Sequence, residues 1–187
     1  MLDPYLVAAR FLKRKADHSA HKRSVALMKF LSGVARRLGI ARHVYVVGGA
    51  VRDFVLDRPI KDIDLIVDSV TLGKDSEWFA QEVAKAIPTR TSLTTNNYGV
   101  AILAVSGPWD LDGNPMQGEV IEIANARKES YGGSGGKGYK PHRVEPATIE
   151  EDMARRELTY NTLLWRLYDL VEGPDKKDIL DLTGCGL

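Results

Sequence analysis

The 187-residue sequence contains one cysteine, Cys185, so neither an intrachain disulfide nor a cysteine-cluster zinc site can form. Long apolar runs are missing as well. Nothing approaches the roughly 20 residues that span a bilayer, and no membrane-embedded segment is expected. Internal repeats are absent, which removes solenoids and propellers. A secretory leader is not apparent, because Asp3-Pro4 interrupts the first apolar stretch. Scarce cysteine favours a reducing compartment, the cytoplasm. An arginine-rich amphipathic start is the one feature in favour of mitochondrial import.

What remains is the composition of an ordinary globular protein, 44% hydrophobic and 27% charged, long enough for one domain and an appendage. The net charge of +1 conceals an asymmetry, for residues 1–43 carry ten Lys/Arg against two acids, a net of +8, and leave about −7 for the rest. A basic arm beside an acidic body suits a polyanion such as RNA. A solvated helix face accounts for the same charges equally well. The chain therefore divides into a basic helical extension, residues 1–42, and a body, residues 43–187.

In the extension, Asp3-Pro4 reads as a cap and first turn of a helix through Leu12. Ser24 reads as the cap of a second, with Val25, Met28, Leu31, Ala35 and Leu38 at three- and four-residue steps and Gly39 as the stop. From His43 the period changes. Residues 43–47 are β-branched and predict a strand that runs into Gly48-Gly49, followed by a short helix to Leu56. Further strands are expected over 61–67, 99–105 and 119–124, with a helix over 75–87. The fold class is α/β (α+β), a small mixed sheet with flanking helices.

Residues 130–146 hold five glycines between Gly132 and Gly138 and read as a loop, either a plain connection or one that closes over substrate through Tyr139, Lys140 and His142. The phosphate-binding P-loop pattern fails there, since Tyr131 stands at its first glycine and Gly138 follows Lys137. Thr148-Ile149-Glu150-Glu151 has the form of a capping box that opens a helix bearing Arg155 and Arg156. A helical stretch through Leu163, Leu164 and Leu167 follows, ending at Gly173-Pro174, and residues 179–187 read as strand and turn. His18, His21, His43 and His142 are scattered and suit solvated or capping roles. Trp78 and Trp165 suit core packing.

The chemistry concentrates in two places. Asp62 and Asp64 are two apart on an expected strand, so both carboxylates point to one face and can hold hard cations. Spacing alone is weak evidence, since 15 Asp make about one such pair by chance and Asp110-Leu111-Asp112, read as loop, is a second. The double glycine decides the matter. Gly48 and Gly49 follow a strand and open a helix, where backbone N–H groups can approach a triphosphate. Arg52 can add a bidentate phosphate contact with Asp53 orienting it, although a surface ion pair is the bland reading of each. Glu122 stands between Ile121 and Ile123, either on the solvent side or as a third carboxylate. Arg127 is a further candidate phosphate contact. Together these features point to a metal-dependent nucleotidyltransferase.

Gly48-Gly49-Ala50-Val51-Arg52-Asp53 with Asp62-Ile63-Asp64-Leu65 resembles the first signature of the class II CCA-adding enzymes and bacterial poly(A) polymerases. A second stretch, Glu151-Asp152-Met153-Ala154-Arg155-Arg156-Glu157-Leu158-Thr159-Tyr160-Asn161, is similar to that family's element contacting the ribose and triphosphate. The resemblance covers about residues 43–187. It implies a polymerase-β-like head, catalytic Asp62, Asp64 and Glu122, metal at Asp62 and Asp64, and nucleotide contacts from Gly48, Gly49, Arg52, Asp53, Arg127, Arg155, Arg156 and Asn161. It also implies Mg²⁺, a nucleoside triphosphate (ATP or CTP) and a tRNA 3′ end as cofactor, substrate and acceptor. Glu157 replaces the usual Asp, and Thr162 and Trp165 replace small residues. Asp181-Leu182-Thr183-Gly184 resembles the opening of the element that joins head to neck. The neck residues that choose the base are absent, so a piece of a longer protein or a head that borrows selection from a partner is expected. Two other readings keep the head: a nucleotidyltransferase with a different acceptor, and a degenerate head that binds RNA.

Overall fold

The computed structural model describes residues 18–130, 143–156 and 161–184. The expected helix at Asp3–Leu12, the glycine-rich 132–138 segment with Tyr139, Lys140 and His142, the stretch 157–160 of the second signature, and Cys185 lie outside the described residues.

Helix α1 (His18–Arg37) is already formed six residues before Ser24. Ser24 is not its cap. It lies inside the helix, 5% exposed, and its hydroxyl donates to the Lys61 carbonyl at 3.0 Å, so the side chain serves packing against the next layer. Gly39 ends the turn at φ 74° as expected. Strand β1 (Val44–Val47) leads into α2 (Gly49–Val55), and β2 (Asp64–Val67) follows. A short helix α3 (Ser69–Leu72) precedes α4 (Ser76–Ala86), which Asp75 caps by accepting from the Trp78 N–H at 2.8 Å.

The chain then runs through β3 (Thr91–Thr95), β4 (Ala101–Val105), the hairpin β5 (Trp109–Leu111) and β6 (Asn114–Met116), and β7 (Val120–Asn125). β3 has no apolar run and escapes sequence reading, because a polar edge strand needs only a ladder partner. The Asp110–Asp112 segment is not a loop. Asp110 lies in β5 opposite Pro115, and Asp112 and Gly113, at φ 51° and 74°, form the two-residue turn that Asp-Gly favours.

β8 (Arg127–Ser130) pairs antiparallel with β9 (Arg143–Pro146), so part of the expected loop is strand. The Thr148 capping box opens α5 (Ile149–Ala154), which ends at Arg155 as C-cap. Residues 163–166 correct the expectation of a helix. They form β10 (Leu163–Arg166), antiparallel to β1, and β11 (Leu180–Asp181) extends the same sheet. A short apolar run fits helix or strand alike; the open edge of β1 chose.

The seven-stranded mixed sheet has the order β11-β10-β1-β2-β7-β4-β3, with β2 and β7 parallel and the other pairs antiparallel. One face carries α1 and α4. Met28, Leu31 and Ala35 of α1 are fully buried in a cluster with Val44, Val46, Leu65, Phe79, Ile121 and Trp165. Each large apolar side chain so buried contributes about 1.5–3 kcal/mol before entropy, which makes α1 integral to this core. The opposite face is covered by α5, where Ile149 and Met153 meet Tyr45, Val47, Ile66 and Leu164. No helix among the described residues is long and apolar enough to cross a membrane.

Candidate active site

The turn between β1 and α2 sets the site. Gly48 adopts φ 70°, ψ −130°, a conformation open to glycine, and a Cβ built there would lie 3.7 Å from Asp64 Oδ2. Register explains the proximity, since Val47, the last residue of β1, pairs with Asp64, the first of β2. The next strand over, β7, pairs in parallel with β2 and sets Glu122 directly opposite Asp64. Cross-strand partners share a face, so these two carboxylates are neighbours on the face that α5 partly covers.

Asp62 precedes β2 instead of lying within it. Exposure still alternates, with Asp62 and Asp64 outward and Ile63 and Leu65 buried. The Asp64 carboxyl is held above its ordinary range by burial first, then by the fields of Glu122 and Asp62, with Arg156 opposing them. Among the described residues no three metal-ligating groups stand close enough to enclose an ion unaided.

Arg52 is paired with Asp53, Nε to Oδ1 at 2.9 Å and Nη2 to Oδ1 at 2.8 Å. A Cβ at Gly49 would stand 3.5 Å from Arg52 Nη2, so this guanidinium lies across the glycine turn.

The second basic group gathers where β8 meets α5, around two acids that the sequence reading did not single out. Asp152 is fully buried, and its Oδ1 accepts from Arg155 Nη2 at 2.6 Å and Nε at 2.9 Å, and from the Arg127 backbone N–H at 3.2 Å. Its Oδ2 accepts from Arg156 Nη2 at 3.0 Å and Nε at 3.3 Å. Glu129, with a side chain 7% exposed, bridges Arg127 at 2.8 Å and Arg155 at 3.2 Å. Arg156 Nη1 donates to the Asn161 carbonyl at 3.3 Å, which ties it to the approach of β10. Removing one partner of a buried pair of this kind typically costs about 3–5 kcal/mol, since the other charge is left in low dielectric. The signal for Asp152 was present as an acid three and four residues before two arginines on a short helix.

His21 accepts from the Ile60 N–H at 3.2 Å and supports the connection before β2. In the basic extension, Arg36 and Arg42 each lie over the Tyr168 ring, at 4.0 and 3.9 Å, so neither guanidinium is purely solvated.

A family model described as the poly A polymerase head domain matches residues 44–187. The multifunctional CCA protein of Pseudomonas putida is 32% identical over 140 residues, which make up 73% of this chain and 32% of that protein. Among solved structures, an apo form of a CCA-adding enzyme is similar with a TM-score of 0.59 and 27% identity, over 88% of this chain and 32% of that one. The Thermotoga maritima CCA-adding enzyme complexed with tRNA is similar with a TM-score of 0.51 and 25% identity, over 86% and 29% of the respective chains. The chain thus spans about a third of the length of the curated relative, with α1 outside the family match. A seven-stranded head with a glycine turn against paired carboxylates, matched along 144 residues, makes this chain a member of the poly A polymerase head domain family.

Proposed function

We propose that this chain is the catalytic head of a nucleotidyltransferase that moves a nucleoside monophosphate from ATP or CTP to an RNA 3′-hydroxyl, the tRNA 3′ end being the acceptor. The observation that carries the reading is the register that sets Asp64 opposite Glu122 and against the Gly48 turn. Similarity to proteins named for CCA addition supports the acceptor, and similarity to CCA-adding enzymes in complex with ATP and with CTP supports the nucleotides.

The donor set fits Mg²⁺. Asp62 and Asp64 would hold it, with Glu122 as the third carboxylate, and all three supply hard oxygens. The Asp64 carboxyl, its proton affinity raised by burial and by the fields of Glu122 and Asp62, is the environment expected of a cation site. An incomplete protein cage suits an ion that takes its remaining ligands from phosphates and water. When bound, the ion lowers the hydroxyl's pKa and offsets charge on the triphosphate.

The remaining work falls to the chain's own groups. Gly48 and Gly49 let backbone N–H groups at the start of α2 approach the triphosphate, and Arg52, oriented by Asp53, adds a planar donor beside them. Arg127, Arg155, Arg156 and Asn161 form the basic wall on the α5 side. The body at 43–187 carries this site, and the basic extension at 1–42 contributes charge toward RNA. Cytoplasmic residence fits such an activity. Selection of the base is left to a region or partner beyond these residues.

Asp62→Ala combined with Asp64→Ala should abolish Mg²⁺-dependent transfer from labelled CTP and ATP to tRNA lacking its 3′ end, with an unchanged circular dichroism spectrum. Transfer at the wild-type rate would overturn the assignment. Where the chain alone is inactive, the same pair is tested in a protein extended to the length of the relatives.

A further inference from the structure

The arginines at the β8–α5 junction are not equivalent, although three of them were read alike from the sequence. Arg127 gives Nε and Nη2 to Glu129 and Nη1 to the Tyr98 carbonyl at 3.2 Å. Arg155 spreads its three nitrogens over both acids, Asp152 and Glu129, and over the Arg127 carbonyl at 2.7 Å. Those contacts run toward β8 and bolt α5 to it. Arg156 meets one oxygen of one acid, at 3.0 and 3.3 Å, and turns the other way, to the Asn161 carbonyl on the approach to β10. β10 lies beside β1, whose end carries Gly48.

The charges sum unevenly. Among the described residues of this cluster, three guanidiniums face two carboxylates, leaving one positive charge in excess. Arg155 sits between both acids and Arg127 is held by Glu129, so the excess falls at Arg156.

We propose that Arg156 alone of these three contacts the triphosphate, and that Asp152 is a positioning residue that acts through it, with Arg155 and Glu129 as the lock that holds Asp152 in place. This rests on the nucleotidyltransferase reading above. A fully buried carboxylate that accepts from two successive arginines on its two oxygens fixes both side chains at once, so Arg156 presents a planar donor without ordering cost when the phosphates arrive. The same geometry removes Arg155 from the substrate list, because a guanidinium with both acids around it offers an anion little net charge.

The test is calorimetric titration of ATP and of inorganic tripolyphosphate, each with Mg²⁺, into the intact chain and into Arg156→Gln, Arg155→Lys, Asp152→Asn and the double Asp152→Asn/Arg156→Gln, alongside melting temperatures. Arg156→Gln should raise Kd for both ligands on the order of tenfold when titrated well below its own melting temperature, which falls as well because Asp152 loses a charged partner. Arg155→Lys should lower the melting temperature and move Kd less than about threefold when titrated well below it. Asp152→Asn should weaken binding, yet add almost nothing to the loss already produced by Arg156→Gln, the non-additivity expected of a residue acting through another. Additive losses, or a greater Kd effect from Arg155→Lys than from Arg156→Gln, would overturn the division of roles while leaving the nucleotidyltransferase reading in place. Failure of the wild-type chain to bind either ligand would overturn both.

Discussion

Replacing Gly48 by alanine separates backbone strain from the chemistry of the site. At φ 70°, ψ −130° an L-residue stands in a sparsely populated region, at a cost of about 1–3 kcal/mol. For a chain of this size each kcal/mol lowers the melting temperature by about 2–4 °C, so a fall on the order of 2–12 °C is expected. The new methyl carbon would lie 3.7 Å from Asp64 Oδ2, an ordinary contact, so it adds no clash. It does occupy the ground beside the carboxylate where a cation or phosphate would stand. Gly39→Ala is the control, because Gly39 is also at positive φ, 74°, and a Cβ there meets nothing within 4 Å. Urea unfolding followed by tryptophan fluorescence reports both losses, since Trp165 is fully buried in β10. Nucleotide transfer should fall at least tenfold for Gly48→Ala and stay within about twofold for Gly39→Ala, misplacement near reacting groups being far costlier than an equal loss of stability elsewhere. Equal activity in the two variants, or no loss of stability at Gly48, would refute the placement of this turn against the catalytic carboxylate.

The Asp64 carboxyl, held above its ordinary 3.8 by burial and by Glu122 and Asp62, gives the ion-free fold stability that is present at acid pH and lost as pH rises through the raised value. Asp64→Asn should therefore raise the melting temperature at pH 7 without Mg²⁺, make no such difference near pH 3, and abolish any Mg²⁺-induced rise; a lower melting temperature at pH 7 would contradict the mutual repulsion of these acids. Neutralising Lys22 and Arg37, exposed on α1, should reduce the slope of log K against log salt for tRNA by about two, whereas an unchanged slope would return the helix to a packing role. Deleting the helix is no substitute, because Met28, Leu31 and Ala35 would leave the core with it.

Much of the local structure was legible in the chain because it depends on neighbours in sequence. Gly39, Asp75 and the Thr148–Glu151 box work through hydrogen bonds and backbone freedom within a turn, so α1, α4 and α5 end or begin where these residues stand. The glycine turn and the acids of 62–64 were visible for the same reason. Partners distant in sequence decided the rest. Leu163–Arg166 became strand because β1 had an unpaired edge, and Thr91–Thr95 became strand because β4 did. Glu122 stood open between solvent and site until the parallel register with β2 set it opposite Asp64. The spacing of Asp152 before two arginines showed that a pair could form, but not its weight, which lies in full burial beneath them, and burial is a property of the assembled sheet and helix. The sequence by itself determined which residue types could bind a metal-triphosphate; tertiary structure decided which of them face one another, because register and burial are created by contacts between segments far apart along the chain.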